Sequence, residues 1–134
     1  MTPFHLKIVT PDGLIFDGKA EELIVRTTAG DVGILARHMN YVAALGMGRA
    51  VVVTGGERRT AACIGGMVSV VNGEVTLVPT TFEWADQIDV DRAEAAYQRA
   101  DKILHDQNVS DMDIKLAEAK LHRALVRKSV ASYK

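Results

Sequence analysis

The sequence predicts an α+β chain, with an N-terminal antiparallel β-sandwich over residues 1–85 and a C-terminal antiparallel two-helix hairpin over residues 86–134. Three observations carry this reading. Short apolar runs alternate with glycine-bearing turns from Phe4 to Val78, and an Asn-Gly pair joins two of those runs. Residues 86–134 then contain no Gly and no Pro, and their apolar residues recur at helical spacing.

Taken in order, Leu6-Lys7-Ile8-Val9 stops at Pro11-Asp12-Gly13, and Leu14-Ile15-Phe16 stops at Asp17-Gly18. Leu23-Ile24-Val25 stops near Gly30, and Ala50 to Val53 stops at Thr54-Gly55-Gly56. Met67 to Val71 and Val75 to Val78 flank Asn72-Gly73, which supplies the two positive-φ positions of a type I′ hairpin turn. Short strands with turns this close together argue for a sandwich or barrel-like domain. Gly46-Met47-Gly48 and Gly65-Gly66 are followed by strands rather than helices, so they read as turns or bulges and not as phosphate loops.

Beyond Pro79, Ala93, Ala96, Ala100, Ile103 and Leu104 mark one apolar helix face, and Ile114, Ala117, Leu121 and Leu125 mark another. The polar stretch from His105 to Ser110 separates them, and Ser110 or Asp111 can cap the second helix. Helices are therefore expected near 89–105 and 111–131, with Phe82 to Gln87 linking them to the sheet. A connection this short favours antiparallel neighbours.

Composition removes several function classes. A net charge of −1 argues against a general binder of nucleic acid or anionic membrane. No apolar run is long enough to span a membrane. Met1 to Lys7 lacks the apolar core and cleavage site of a signal peptide, so the mature chain is expected to start where it is written. A lone cysteine, Cys63, reads as a small buried hydrophobe. The four histidines His5, His38, His105 and His122 lack metal-ligand spacing, and neither a Gly-x-Ser-x-Gly elbow nor a Walker motif is present. No catalytic residue and no metal site are expected.

The near-zero net charge hides a segregation within the hairpin. Residues 86–113 hold eight acids against three bases, a balance of −5, whereas residues 115–134 hold six bases against Glu118, a balance of +5. Helix dipoles account for part of this. An alanine interface buries little apolar area, at roughly 25 cal/mol per Å², so the hairpin is expected to be marginally held. A detachable basic second helix would suit an acidic protein surface.

One constellation stands out. Arg92 and Arg99, seven residues apart, project on one side of the first helix about 10 Å apart along its axis. Arg123 and Arg127 are an i, i+4 pair on the second helix. Together they can surround one groove, and arginine suits bidentate phosphate binding. Asp89 at the helix start and Glu83 before it can accept hydrogen bonds from an amino group. Taken from the residues alone, solvated charges and salt bridges within the hairpin are the more ordinary account of the same residues.

The chain as a whole resembles the epsilon subunits of bacterial F-type ATP synthases. The resemblance is carried by Leu6-Lys7-Ile8-Val9-Thr10-Pro11-Asp12-Gly13, by Gly30-Asp31-Val32-Gly33-Ile34-Leu35 with His38, and by Gly65-Gly66 before Asn72-Gly73. Ile88-Asp89-x-x-Arg92-Ala93, Arg123-Ala124 and Arg127-x-Ser129-Val130 complete it. It implies a non-catalytic rotor subunit of the central stalk, peripheral on the cytoplasmic face of the bacterial plasma membrane. The β domain would bind the gamma subunit and the c-subunit ring. The basic second helix, once detached, would meet acidic segments of the beta subunits and block ATP hydrolysis. It further implies ATP as a regulatory ligand, with or without magnesium, holding the hairpin folded. Glu83, Ile88, Asp89 and Ala93 would surround adenine, and Arg92, Arg99, Arg123 and Arg127 would face phosphates. The family pattern Gly-Ile-Leu-Pro-x-His-x-Pro departs here at Ala36 and Asn40, which implies a looser loop.

Overall fold

The computed structural model describes residues 2–133 and divides into two compact units, Met1–Trp84 and Ala85–Lys134. The first unit contains eight strands: β1 (Phe4–Thr10), β2 (Gly13–Ala20), β3 (Glu22–Thr27), β4 (Gly30–Ile34), β5 (Tyr41–Ala44), β6 (Met47–Thr54), β7 (Glu57–Val71) and β8 (Glu74–Trp84). They pair in the order β2-β1-β8-β7-β6-β3-β4, with β5 also on β7. Every pairing is antiparallel except β1 with β8, where Leu6–Ile8 runs parallel to Val75–Leu77.

One path of strands makes two layers because β7 and β8 belong to both. β5 pairs with the second half of β7 and β1 with the start of β8, whereas β6 pairs with the first half of β7. Along β7 the core-facing residues are Ala61 and Cys63, then Val68 and Val70; along β8 they are Val75 and Leu77, then Phe82 and Trp84. Inward-facing parity therefore switches on both strands, while their register holds from Ala61↔Trp84 to Val71↔Glu74. The switch falls at Gly65-Gly66, at φ +69 and +98. A Cβ on Gly66 would lie 2.0 Å from the Val78 carbonyl oxygen and 2.7 Å from the Cα of Pro79. The glycine pair expected as a turn or bulge is thus a corner inside one continuous strand.

The core gathers alternate residues of the strands, among them Leu6, Ile8, Leu23, Val25, Ile34, Val68 and Leu77. Each fully buried side chain of this size contributes about 1.5–3 kcal/mol. Asn72 and Gly73, at φ 49 and 80, make the expected turn between β7 and β8. At the family's proline position, Asn40 Oδ1 accepts a 2.9 Å hydrogen bond from the backbone N–H of Asn72. The loop expected to be loose is tied to that turn.

Strands extend further than the punctuation indicated. β2 continues through Asp17-Gly18 to Ala20, and β8 continues through Pro79 to Trp84. Phe82 to Trp84 is therefore strand and not linker, held by the edge-on packing of the Phe82 and Trp84 rings at 4.9 Å. A single 3-10 turn, Ala85–Gln87, opens the second unit.

The second unit holds α1 (Val90–Leu104) and α2 (Asp111–Ala131). Asp89 caps α1 by accepting from the Arg92 N–H at 3.0 Å, and Ser110 caps α2 by accepting from the Asp113 N–H at 3.1 Å. Buried alanines at seven-residue spacing, Ala93 and Ala100 on α1, Ala117 and Ala124 on α2, mark the contact seam. Leu125, expected on that seam, is 44% exposed, because it follows Ala124 by about 100° around the helix.

Candidate functional site

The residues singled out for ligand binding divide between the units. Glu83 lies in β8, paired with Ala62, whereas Ile88, Asp89, Arg92, Ala93, Arg99, Arg123 and Arg127 lie in the helical unit. Ile88 and Ala93 are buried, Arg92 and Arg99 exposed, and Arg123 and Arg127 half-buried. One carboxylate oxygen of Asp89, Oδ1, is committed to the helix cap.

Helical rotation decides which of these share an edge. At about 100° per residue, Arg92 and Arg99 fall on the same side of the Ala93–Ala100 seam, one residue before each alanine. Arg123 and Arg127 fall on the corresponding side of Ala124. In an antiparallel pair the same sense of rotation leads to the same edge, so the four guanidinium groups flank one edge of the hairpin. Among the described residues no carboxylate lies within ion-pair distance of Arg92, Arg99 or Arg123. Such an edge attracts an anion, and each charge-assisted hydrogen bond to it contributes about 1.5–3 kcal/mol.

The opposite edge carries a contact that sequence reasoning missed. Lys128 Nζ on α2 lies 2.6 Å from Glu94 Oε2 on α1, and 4.3 Å from the centroid of the Tyr97 ring. Gln98 Nε2, one turn beyond Glu94, donates to Glu94 Oε1 at 2.9 Å. The bonds from Lys128 and then Gln98 hold the Glu94 carboxyl below its ordinary pKa. A half-exposed ion pair of this kind contributes only modestly, and so does a cation over an aromatic face at an exposed site. Opposite net charges of the two helices were the only signal in the sequence, and they do not name the partners.

The β unit offers a different surface. An open apolar hollow of about 750 Å³ is lined by Pro11, Val42, Ala44, Met67, Val78 and Pro79, three of whose side chains (Val42, Met67, Val78) are exposed large hydrophobics. On the same unit His5 bridges two carboxylates, Asp17 through Nε2 and Glu74 through Nδ1, both at 2.5 Å. Those bonds raise the His5 pKa, and His5 in turn lowers that of Asp17. Cys63 is buried, which pushes its thiol up to about 12. No cluster of metal-ligating side chains occurs among the described residues, and no described helix is long and apolar enough to cross a membrane.

Comparison with known proteins follows this division. Residues 3–85 match the family model described as ATP synthase, Delta/Epsilon chain, beta-sandwich domain. Residues 86–132 match the model described as the long alpha-helix domain of the same chain. The chain is 42% identical to the ATP synthase epsilon chain of Ruminococcus albus, covering 100% of both, and 40% identical to that of Bacillus pumilus, covering 98% of both. A chain of the Euglena gracilis mitochondrial ATP synthase (OSCP/F1/c-ring) superposes with a TM-score of 0.84 at 21% identity, over 100% of this chain and 83% of that one. A chain of the central stalk/c-ring of the Tetrahymena thermophila mitochondrial enzyme does so at 0.68 and 9% identity, over 95% of each. At those identities the likeness is one of fold.

Proposed function

Since this chain belongs to the delta/epsilon chain family of ATP synthases, a non-catalytic subunit family, we propose that it couples rotor to catalytic head and restrains ATP hydrolysis through its hairpin. The β-sandwich docks on the gamma subunit and the c-subunit ring. Its exposed hollow bounded by Val42, Met67 and Val78 supports this, since apolar surface of that kind suits a protein partner. The complex it joins sits on the cytoplasmic face of the bacterial plasma membrane, with this chain peripheral.

The regulatory half of the proposal is carried by one observation: the four arginines flank a single edge of the seam. ATP bound there, with its phosphates on Arg92, Arg99, Arg123 and Arg127, favours the folded hairpin. Within the helical unit, Ile88, Asp89 and Ala93 are assigned to adenine. Released, the basic α2 meets acidic segments of the beta subunits and blocks hydrolysis. A ligand at 100 times its dissociation constant, binding only the folded form, biases the equilibrium by about 2.7 kcal/mol. That suffices against an alanine seam.

Two measurements test this. Titration of the chain with ATP by calorimetry, with and without magnesium, is expected to give saturable binding; no heat under either condition rejects the latch. Adding the chain to a catalytic head depleted of this subunit is expected to lower ATPase activity, and deleting residues 88–134 to relieve the effect. Equal inhibition by both chains rejects the inhibitory arm.

A further inference from the structure

We propose that Glu94, Tyr97 and Lys128 form a clasp that closes the free end of the hairpin from the edge opposite the arginines. Clasp and bound anion then stabilise the same closed state from two sides. The anion half of that statement rests on the reading of the arginine edge given above; the clasp does not.

Position is the first argument. The helices are joined at residues 105–110, so opening separates most widely the first turns of α1 and the last turns of α2. Glu94 is in the second turn of α1 and Lys128 in the last turn of α2. A bond between them therefore acts where opening begins. Contacts nearer residues 105–110 would survive a partial separation.

Chemistry is the second. Lys128 Nζ meets two groups of α1 at once, the carboxylate at 2.6 Å and the Tyr97 ring at 4.3 Å. Gln98 orients the carboxylate from its own helix, so less side-chain freedom is lost when the contact forms. Glu94 lies near the positive end of the α1 dipole and Lys128 near the negative end of the α2 dipole, so each charge suits its own helix as well. Between them the buried residues of the two helices are mostly alanines, Ala93, Ala100, Ala117, Ala124 and Ala131, whose burial gains little, with Val130 the larger side chain buried beside them. Against so thin a seam, a few polar contacts set the closing equilibrium.

Amide hydrogen exchange on the full chain tests the clasp. Lys128→Met keeps the aliphatic stem and removes the charge. Exchange in the last turns of α2 is expected to rise about three- to tenfold, with the β strands unchanged. Lys128→Arg retains both contacts and is expected to stay near the parent. Adding Glu94→Gln to Lys128→Met is expected to cause no further rise. Unchanged exchange in Lys128→Met overturns the clasp, as does a rise shared by the β strands or one reproduced in Lys128→Arg. Repeating the series with ATP separates the two readings. If ATP slows exchange in the parent, its apparent affinity falls in Lys128→Met by the factor that the clasp contributes. If ATP has no effect on the parent while Lys128→Met still accelerates exchange, the clasp stands and the arginine-edge reading fails.

Discussion

Gly66 on β7 and Pro79 on β8 face each other where the two long strands turn from one layer of the sandwich into the other. A methyl group on Gly66 would lie 2.7 Å from the Cα of Pro79, and the backbone there has φ +98. Both terms act against any side chain, one steric and one conformational. Gly66→Ala is expected to destabilise the β unit by about 3 kcal/mol or more. Urea unfolding followed by Trp84 fluorescence measures it. A loss under about 1 kcal/mol would show that the corner relaxes without cost.

His5 gives a pH dependence with a definite sign. Hydrogen bonds to Asp17 and Glu74 raise its pKa in the folded chain above the ordinary histidine value of 6.5. Its stabilising contribution is therefore fully present below the unfolded pKa and fades as pH rises through the raised folded value. Asp17 runs the other way: its folded pKa is below 3.8, so its contribution is present above 3.8 and is lost as pH falls through the folded value. The cluster thus contributes most between those limits. Lys7, paired with Asp17 across β1 and β2, acts in the same direction as His5 and adds to the lowering of the Asp17 pKa. NMR titration of the His5 ring is expected to show the raised midpoint, and His5→Gln to flatten the stability profile near neutral pH. A midpoint at or below 6.5 contradicts the assignment.

How far these features were legible depends on what each required of the chain. The Asn72-Gly73 turn and both helices were readable, because turn chemistry and apolar residues at helical spacing are local signals. β4 and the first half of β7 were not. Gly30-Asp31-Val32-Gly33 carries two glycines on an edge strand, and Glu57-Arg58-Arg59 puts charges ahead of alanines that have weak strand preference. Their pairing partners, β3 and β6, impose the strand. Spacing along each helix is what groups the arginines. The Lys128 contact was not legible, since it depends on the register between two helices that no single stretch of sequence encodes.

The arginine edge makes a graded prediction. Asp89→Ala removes a helix cap worth about 1 kcal/mol besides any ligand contact, so the double change Asp89→Ala with Arg92→Ala weakens ATP binding for two reasons. Arg99→Gln with Arg123→Gln leaves both caps intact and removes only guanidinium groups. Losing two charge-assisted bonds is expected to weaken ATP binding by about 100-fold or more, with unchanged circular dichroism. Calorimetric affinities equal to the parent's in both double variants would remove these residues from the site.

Cys63 reports whether the β unit stands alone. Burial holds its thiol up to about 12, so at pH 8 about one molecule in 10⁴ carries the reactive thiolate, against roughly a quarter for a free cysteine. Every residue of the core cluster around it comes from Phe4 to Trp84. A chain ending at residue 87 is therefore expected to keep its fold and its slow reaction with a disulfide reagent, at least about 10³-fold slower than in urea. Should the truncated chain react at the unfolded rate, the hairpin would be a structural requirement of the sandwich. Its removal could not then isolate a regulatory role. Slow labelling in the truncated chain makes the ATPase comparison a test of the hairpin's function and not of folding.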